Sequence, residues 1–280
     1  MKILVTGATG FIGNYVIREL LKNNHEVIAT SIDADNKHFS WVSDVQYIAC
    51  NLNEEKKDYF RFFQKPDRLI HLSWEGLPNY QELFHFERNL FQNYRFLKNI
   101  IENSLNNVTV IGTCLEYGMK NGPLREDMES NPNNSYALAK DTLRKFLVQL
   151  QEKIAFNFKW LRLFYMYGKG QGPNSILSQL DTALNRGDKV FNMSGGEQLR
   201  DYLPVEKVAE LIVKIATQDK VAGIINCCSG SPISIRKLVE DYLRINQKII
   251  DLKFGYYSYH PYEPMAFWGD KSKLEKALRK

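Results

Sequence analysis

Apolar residues in the first half of the chain follow two alternating rhythms. "KILVTG" (2–7) is a short apolar run closed by glycine. "FIGNYVIRELLKNN" (11–24) then sets Ile12, Val16 and Leu20, with Ile17 and Leu21 beside them, at helical spacing. "HEVIATSI" (25–32), "VQYIACNL" (45–52), "RLIHLSW" (68–74) and "NVTVIGT" (107–113) read as further strands. A long helical pattern, "LFHFERNLFQNYRFLKNIIENSL" (83–105), follows the fourth strand, and "SYALAKDTLRKFLVQLQEKI" (135–154) follows the fifth. "FKWLRLFYMYG" (158–168) returns to strand. Repeated strand–helix–strand units predict an α/β fold with a doubly wound parallel sheet.

After about residue 168 the rhythm changes. A glycine-rich loop, "GKGQGPNS", leads to a helix closed by Gly187, then to "KVFNMSG", "LRDYLPVEKVAELIVKIA" and the strand-like "GIINCCSG". The expected organisation is a Rossmann-type domain over 1–167. A smaller mixed α/β domain follows over 168–280, mainly for substrate, with the chain crossing back to the first.

Composition narrows the class without naming it. The 280 residues are 44% apolar and 25% charged, with net charge +5, as expected for a globular enzyme. The basic residues are dispersed, so no nucleic-acid footprint is read. Cys50, Cys114, Cys227 and Cys228 lack zinc-ligand spacing, and no metal site is expected. They read as reduced thiols of a cytoplasmic protein. No apolar run is long enough to cross a membrane, and no signal peptide is read before the first strand.

Chemistry first appears in "TGATGFIG" (6–13). Gly7, Gly10 and Gly13 lie between the first strand and the first helix, with Phe11 and Ile12 opening that helix. Gly7 allows a tight turn, Gly10 lets backbone approach a pyrophosphate, and Gly13 lets helix pack on strand. The helix N-terminus then faces the phosphates. The plainer alternative is a glycine-rich turn that binds nothing. The strand–turn–helix context favours a dinucleotide. At the end of the second strand, where an acid would bind the adenosine ribose, stands Ser31. Asp33, Asn36, Lys37 and His38 follow. A serine near cations accommodates a 2′-phosphate, so NADP(H) is favoured over NAD(H), with Asp33 pulling the other way.

"SYALAK" puts Tyr136 and Lys140 four residues apart, on one face of a helix capped by Asn134 or Ser135. A cation beside a phenol lowers the phenol's pKa and fits it for proton transfer. "GTCLEYG" (112–118) closes the fifth strand with Thr113, Cys114, Glu116 and Tyr117. Continued as a strand, it would turn Glu116 away from Thr113's side. Plainer readings cover the remaining candidates. His71 is a packed strand residue, His25, His38 and His85 are surface or packing residues, and Trp41, Trp160 and Trp268 are core.

With these motifs in place, nearly the whole chain resembles the extended branch of the short-chain dehydrogenase/reductases, the NAD-dependent epimerase/dehydratase group. "TGATGFIG" resembles its cofactor loop, and "SYALAK" its Tyr–Lys pair. "CNL" (50–52) resembles its adenine-side Asp-Leu pair, with Asn51 for Asp before Leu52. "IHLSW" resembles its strand-four element, bringing Leu72, Ser73 and Trp74 to the site, and Asn89 matches its helix asparagine. "RLFYMYGKGQ" resembles its Arg-x-x-Asn-x-Tyr-Gly stretch, with Tyr165 for Asn. In "LRDYLPVEKVAE", Arg200 matches the nucleotide-binding arginine. His260 stands where the family often has an arginine for the diphosphate.

The resemblance implies hydride transfer at a sugar carbon of a nucleotide sugar. Thr113, Tyr136 and Lys140 would be catalytic. Trp74, Thr113, Cys114, Tyr165, Arg200 and His260 would face substrate. Dehydratases of the group carry an Asp-Glu pair directly after the strand-five Thr; here Cys114 and Leu115 stand there, which argues against dehydration. Longer stretches, such as "NMSGGEQLRDYLPVEKVAE", resemble bacterial reductases that form dTDP-fucose from dTDP-4-keto-6-deoxyglucose. A 4-epimerase with tightly held NAD and a non-catalytic dinucleotide-binding protein stay open as alternatives. Family members often dimerise through the helices at 80–103 and 136–153, so a homodimer is expected, in a pathway of surface-polysaccharide sugars.

Overall fold

The computed structural model describes residues 1–33, 39–259 and 264–279, so Asn36, Lys37, His38 and His260 lie outside the described residues. The first strands are β1 (Lys2–Thr6), β2 (Glu26–Thr30), β3 (Gln46–Tyr47), β4 (Arg68–His71) and β5 (Asn107–Thr113). They continue with β6 (Gly122–Leu124), β7 (Asn157–Leu163), β8 (Tyr165–Tyr167), β9 (Val190–Asn192) and β10 (Leu199–Arg200). The last are β11 (Tyr202–Pro204), β12 (Gly223–Cys227), β13 (Ile233–Ser234), β14 (Asp251–Lys253) and β15 (Phe267–Gly269). The helices are α1 (Phe11–Lys22), α2 (Tyr59–Phe62), α3 (Leu90–Glu102), α4 (Ser135–Gln151), α5 (Ile176–Arg186), α6 (Val205–Thr217), α7 (Ile235–Ile245) and α8 (Ser272–Leu278).

Seven strands form one parallel sheet in the order β12-β7-β5-β4-β1-β2-β3. Alternation along β1 shows why both faces are covered. Ile3 and Val5 point into a core made with α1 and α6. Leu4, between them, points into the opposite core, built from Phe96 and Leu97 of α3 and Leu143 and Leu147 of α4. Strand order reverses between β1 and β4, so a crevice opens at the carboxyl ends of those strands. A separate core, with Leu180 of α5 and Val239 of α7, serves the C-terminal part. The chain returns to the sheet there: α6 packs beside α1, and β12 pairs with β7.

Three elements differ from their sequence expectation. "VQYIACNL" pairs as a strand only over Gln46–Tyr47, although Ile48 and Cys50 still donate to Ala29 and Ser31 of the β2 side, at 3.0 and 2.9 Å. "FKWLRLFYMYG" splits at Phe164: the Phe164 amide still pairs with Cys227, but the Tyr165 amide turns to Asp201, starting the β8–β11 pair. The helix expected from residue 83 begins as one wider π-type turn, His85–Asn89, which buries both His85 and Asn89.

Candidate active site

The glycine loop fits a dinucleotide on its own geometry. A Cβ on Gly7, at φ +69°, would meet the Ser73 amide nitrogen at 2.9 Å, and one on Gly13 would meet the Gly7 carbonyl oxygen at 2.2 Å. Those two glycines serve packing. Gly10 differs: its Cβ would meet only the Gly7 oxygen, at 3.2 Å, and it is exposed. The space beside it is what a pyrophosphate needs. As the N-cap of α1, Gly10 brings no side chain to occupy the first-turn amides, the groups a phosphate would bind.

The other residues expected at the cofactor gather along the same sheet edge. The Ser31 hydroxyl accepts from the Thr9 amide at 3.0 Å, tying the end of β2 to the loop. Asn51 and Leu52 run beside Ser31, with the Asn51 side chain accepting from Asn53. Leu72 and Ser73 extend β4 through hydrogen bonds to Thr6, and buried Asn89 donates to the Glu75 carbonyl at 3.0 Å. His71, fully buried between Thr6 and Asn93, is pushed down to about 3 by burial, then by Lys140, against the Asn93 hydrogen bond; it stays neutral and structural.

Thr113 is the last residue of β5, and a 3-10 turn, Cys114–Tyr117, begins there. Glu116 is therefore not on a strand, as the sequence reading assumed. It folds back as a capping box: the Leu115 amide donates to the Thr113 hydroxyl oxygen at 3.2 Å, and the Thr113 amide donates to Glu116 at 2.9 Å. The Leu115 amide occupies one lone pair of the Thr113 oxygen and so fixes where the side chain sits. The Thr113 side chain neighbours the Tyr136 phenol and works to lower its pKa.

Tyr136 lies in the first turn of α4, capped by Asn134, whose side chain accepts from the Ala137 amide at 2.9 Å. A cluster of Trp74, Tyr80 and His85 packs around its ring. Trp74 donates to His85 Nδ1 at 3.1 Å, and His85 Nε2 meets the Asn79 carbonyl at 2.9 Å. Lys140 is buried, donates to the Ile111 carbonyl at 2.9 Å, and holds its ammonium 4.1 Å from the centre of the Trp74 ring.

The expected lowering of the Tyr136 pKa is not found. Burial, then the charges of Tyr80, Glu116 and Cys114, push the phenol above its ordinary value, and the Thr113 side chain opposes them. Lys140 is 6.0 Å from the Tyr136 ring centre, and burial brings its own pKa down to about 7. Desolvation is the largest effect on both groups.

Cys114 and Tyr165 meet the same small core as Phe267. Arg200 is buried against it, with its guanidinium 4.6 Å from the Phe267 ring centre and 5.8 Å from that of Tyr165. Next in sequence, Asp201 accepts from the amides of Ser229, Gly230 and Gly269, fixing the loops around Arg200. His85 packs, as one of its two sequence readings had it, and does so against Tyr136, while Asp201 and the role of Glu116 were missed. Only Glu116 carried a signal, the Thr-x-x-Glu capping pattern.

The model of the NAD dependent epimerase/dehydratase family matches residues 3–228. The chain belongs to that family. Among curated relatives of this epimerase/dehydratase chain, the dTDP-6-deoxy-L-talose 4-dehydrogenase (NAD(+)) of Aggregatibacter actinomycetemcomitans is 33% identical over 275 residues, 97% of this chain and 100% of that protein. The dTDP-4-dehydro-6-deoxyglucose reductase of Escherichia coli is 23% identical over 268 residues, 89% of this chain and 83% of that one. Among solved structures, UDP-glucuronic acid 4-epimerase from Bacillus cereus, in complex with UDP-glucuronic acid and NAD, superposes with a TM-score of 0.85. It is 24% identical and covers 99% of this chain and 93% of that one. The Rossmann-type α/β fold expected from the sequence is the fold of this epimerase/dehydratase. Among the described residues no helix is long and apolar enough to cross a membrane.

Proposed function

We propose that the chain moves hydride at C4 of a dTDP-linked 6-deoxyhexose, reducing a 4-keto sugar to the alcohol. The observation that carries this is the meeting of Thr113, at the carboxyl end of β5, with Tyr136 in the first turn of α4, whose burial holds the phenol toward its protonated form. A protonated phenol is the acid that a reduction needs. Cys114 and Leu115 supply no acid pair beside it, and Glu116 is fully engaged by Thr113, Trp160 and Arg162.

In this reading the glycine loop and α1 hold the pyrophosphate. Ser31, Asn51, Leu52, Leu72, Ser73 and Asn89 line the adenosine half, and Lys140 holds the nicotinamide ribose. The bound dihydronicotinamide supplies the hydride. Tyr136 gives its proton to the carbonyl oxygen as C4 accepts hydride, and Thr113 donates a hydrogen bond to that oxygen as charge develops on it. Trp74, Cys114 and Tyr165 flank the sugar, and Arg200 and His260 serve the nucleotide end.

The substrate favoured is dTDP-4-dehydro-6-deoxyglucose, giving dTDP-fucose. The L-sugar counterpart, yielding dTDP-6-deoxy-L-talose, is the second reading, favoured by the similarity to a dTDP-6-deoxy-L-talose 4-dehydrogenase. Ser31 offers neither a carboxylate's hydrogen bonds to the ribose nor its repulsion of a 2′-phosphate. NADPH and NADH should therefore both serve, within about tenfold in kcat/KM. A homodimer is part of the same proposal. Phe96, Leu97 and Leu90 pack inward, but Leu83, Phe91 and Leu138 stay exposed on the helices expected to pair.

The test is to incubate purified enzyme with each coenzyme and a panel of dTDP-4-keto-6-deoxyhexoses, following loss of reduced-nicotinamide absorbance and identifying products by NMR. Turnover of a dTDP-4-keto sugar is expected. Interconversion of nucleotide sugars by co-purifying NAD, with no added coenzyme, would show a 4-epimerase instead.

A further inference from the structure

We propose that Glu116 is a positioning residue for the reaction: its buried carboxylate, clamped by Trp160 and Arg162, holds the turn that aims the Thr113 hydroxyl at Tyr136. The inference rests on the reading that Thr113 and Tyr136 serve the reacting oxygen.

Glu116 has no exposed surface. Three donors converge on its carboxylate. The Thr113 amide reaches Oε1 at 2.9 Å, Trp160 Nε1 reaches Oε1 and Oε2 at 2.9 and 3.1 Å, and Arg162 Nε reaches Oε2 at 2.7 Å. Arg162 is itself pinned, with its guanidinium 4.3 Å from the Tyr117 ring centre and an Nη 4.0 Å from Asp141, the neighbour of Lys140 on α4. The Tyr117 hydroxyl continues to Asn226 of β12 at 2.8 Å. One carboxylate therefore joins the end of β5 to β7, and through Arg162 to α4 and β12.

A surface capping box needs none of this. Burying an ion pair removes both charges from water, and apolar side chains of similar volume would often be as stable. The arrangement instead fixes direction. The Thr113 amide is held by Glu116 and its side-chain oxygen by the Leu115 amide, which fixes the hydroxyl beside Tyr136. Gly112 shows how tightly the carboxylate is fitted. A Cβ there would meet Trp160 Nε1 at 2.1 Å and Glu116 Oε1 at 2.5 Å. An amide cannot replace the carboxylate, because its NH2 would face a donor at one end or the other.

The experiment is a double-mutant cycle between Glu116→Gln and Thr113→Val, reading kcat with the dTDP-4-keto substrate that is turned over and, separately, coenzyme affinity by fluorescence. Thr113→Val should lower kcat about a hundredfold, as for a lost oxyanion donor. Glu116→Gln should lower it about tenfold or more with coenzyme Kd within about twofold, and should add nothing in the Thr113→Val background. Losses that multiply in the double variant, or a folded Glu116→Gln enzyme with full kcat, would overturn the positioning role and leave the site reading standing. Should Glu116→Gln not fold, Trp160→Phe decides by the same cycle, since it removes one donor and keeps the ion pair. Thr113→Val with unchanged turnover would overturn the site reading itself, and the positioning role with it.

Discussion

Tyr136 and Lys140 are both buried, and burial acts on them in opposite senses: the phenol keeps its proton and the ammonium is pressed to release it. Replacing Tyr136 with phenylalanine should lower kcat about 10²–10⁴-fold. Coenzyme Kd should be unchanged, which stopped-flow and equilibrium titration can separate. Lys140 carries a stability penalty whose pH window follows from its shift. Its pKa is about 7 in the folded chain against an ordinary 10.5, so between those values the unfolded chain binds the extra proton. Stability contributed by this group therefore rises with pH across that window, and the penalty is full below it. Lys140→Met should raise the Tm of the coenzyme-free protein by a few degrees at pH 7. The gain should fade toward pH 10.5 in a melting series, while activity is lost. At Ser31, substitution by aspartate keeps an acceptor for the Thr9 amide but brings a charge. Steady-state kinetics should show NADPH kcat/KM falling at least tenfold relative to NADH.

Elements place these residues, and their ends matter more than their middles. The N-cap of α4 sets the first turn that carries Tyr136, so Asn134→Ala should destabilise the protein by about 1 kcal/mol in denaturant unfolding. Gly118 ends the Thr113 turn at φ +71°, where a Cβ would meet the Asn131 carbonyl oxygen at 1.9 Å, so alanine there should displace the turn and lower kcat. Strand and helix identity, the glycine loop and the Tyr–Lys spacing were readable because each follows a local period or a local backbone need. The split of β7 from β8 was not readable: Phe164 belongs to an uninterrupted apolar run, and its partners at Cys227 and Asp201 lie far along the chain. Nor was the wide turn at His85–Asn89, which gathers His85 to Trp74 by contacts no period records. Glu116 was misjudged because alternation was extended one turn too far, past the residue where β5 ends.

Across the whole molecule the four thiols report on packing. Cys50, Cys114, Cys227 and Cys228 are all buried and none is in a disulfide, and burial pushes Cys227 up to about 12. A thiol reagent at pH 8 should label the native protein slowly and reach four equivalents only in denaturant. The same distances in sequence govern assembly of the sheet. Its outer strand on one side, β12, is contributed by residues 223–227, and α6, which covers the β1 face, precedes it at residues 205–217. A ribosome making this chain thus releases β7 long before the strand that shields it. Through that interval the nascent protein presents an open, apolar sheet edge, the feature by which partly made chains find one another. Holding chaperones should matter most over that stretch of synthesis, and chains stopped short of β12 should collect in the insoluble fraction.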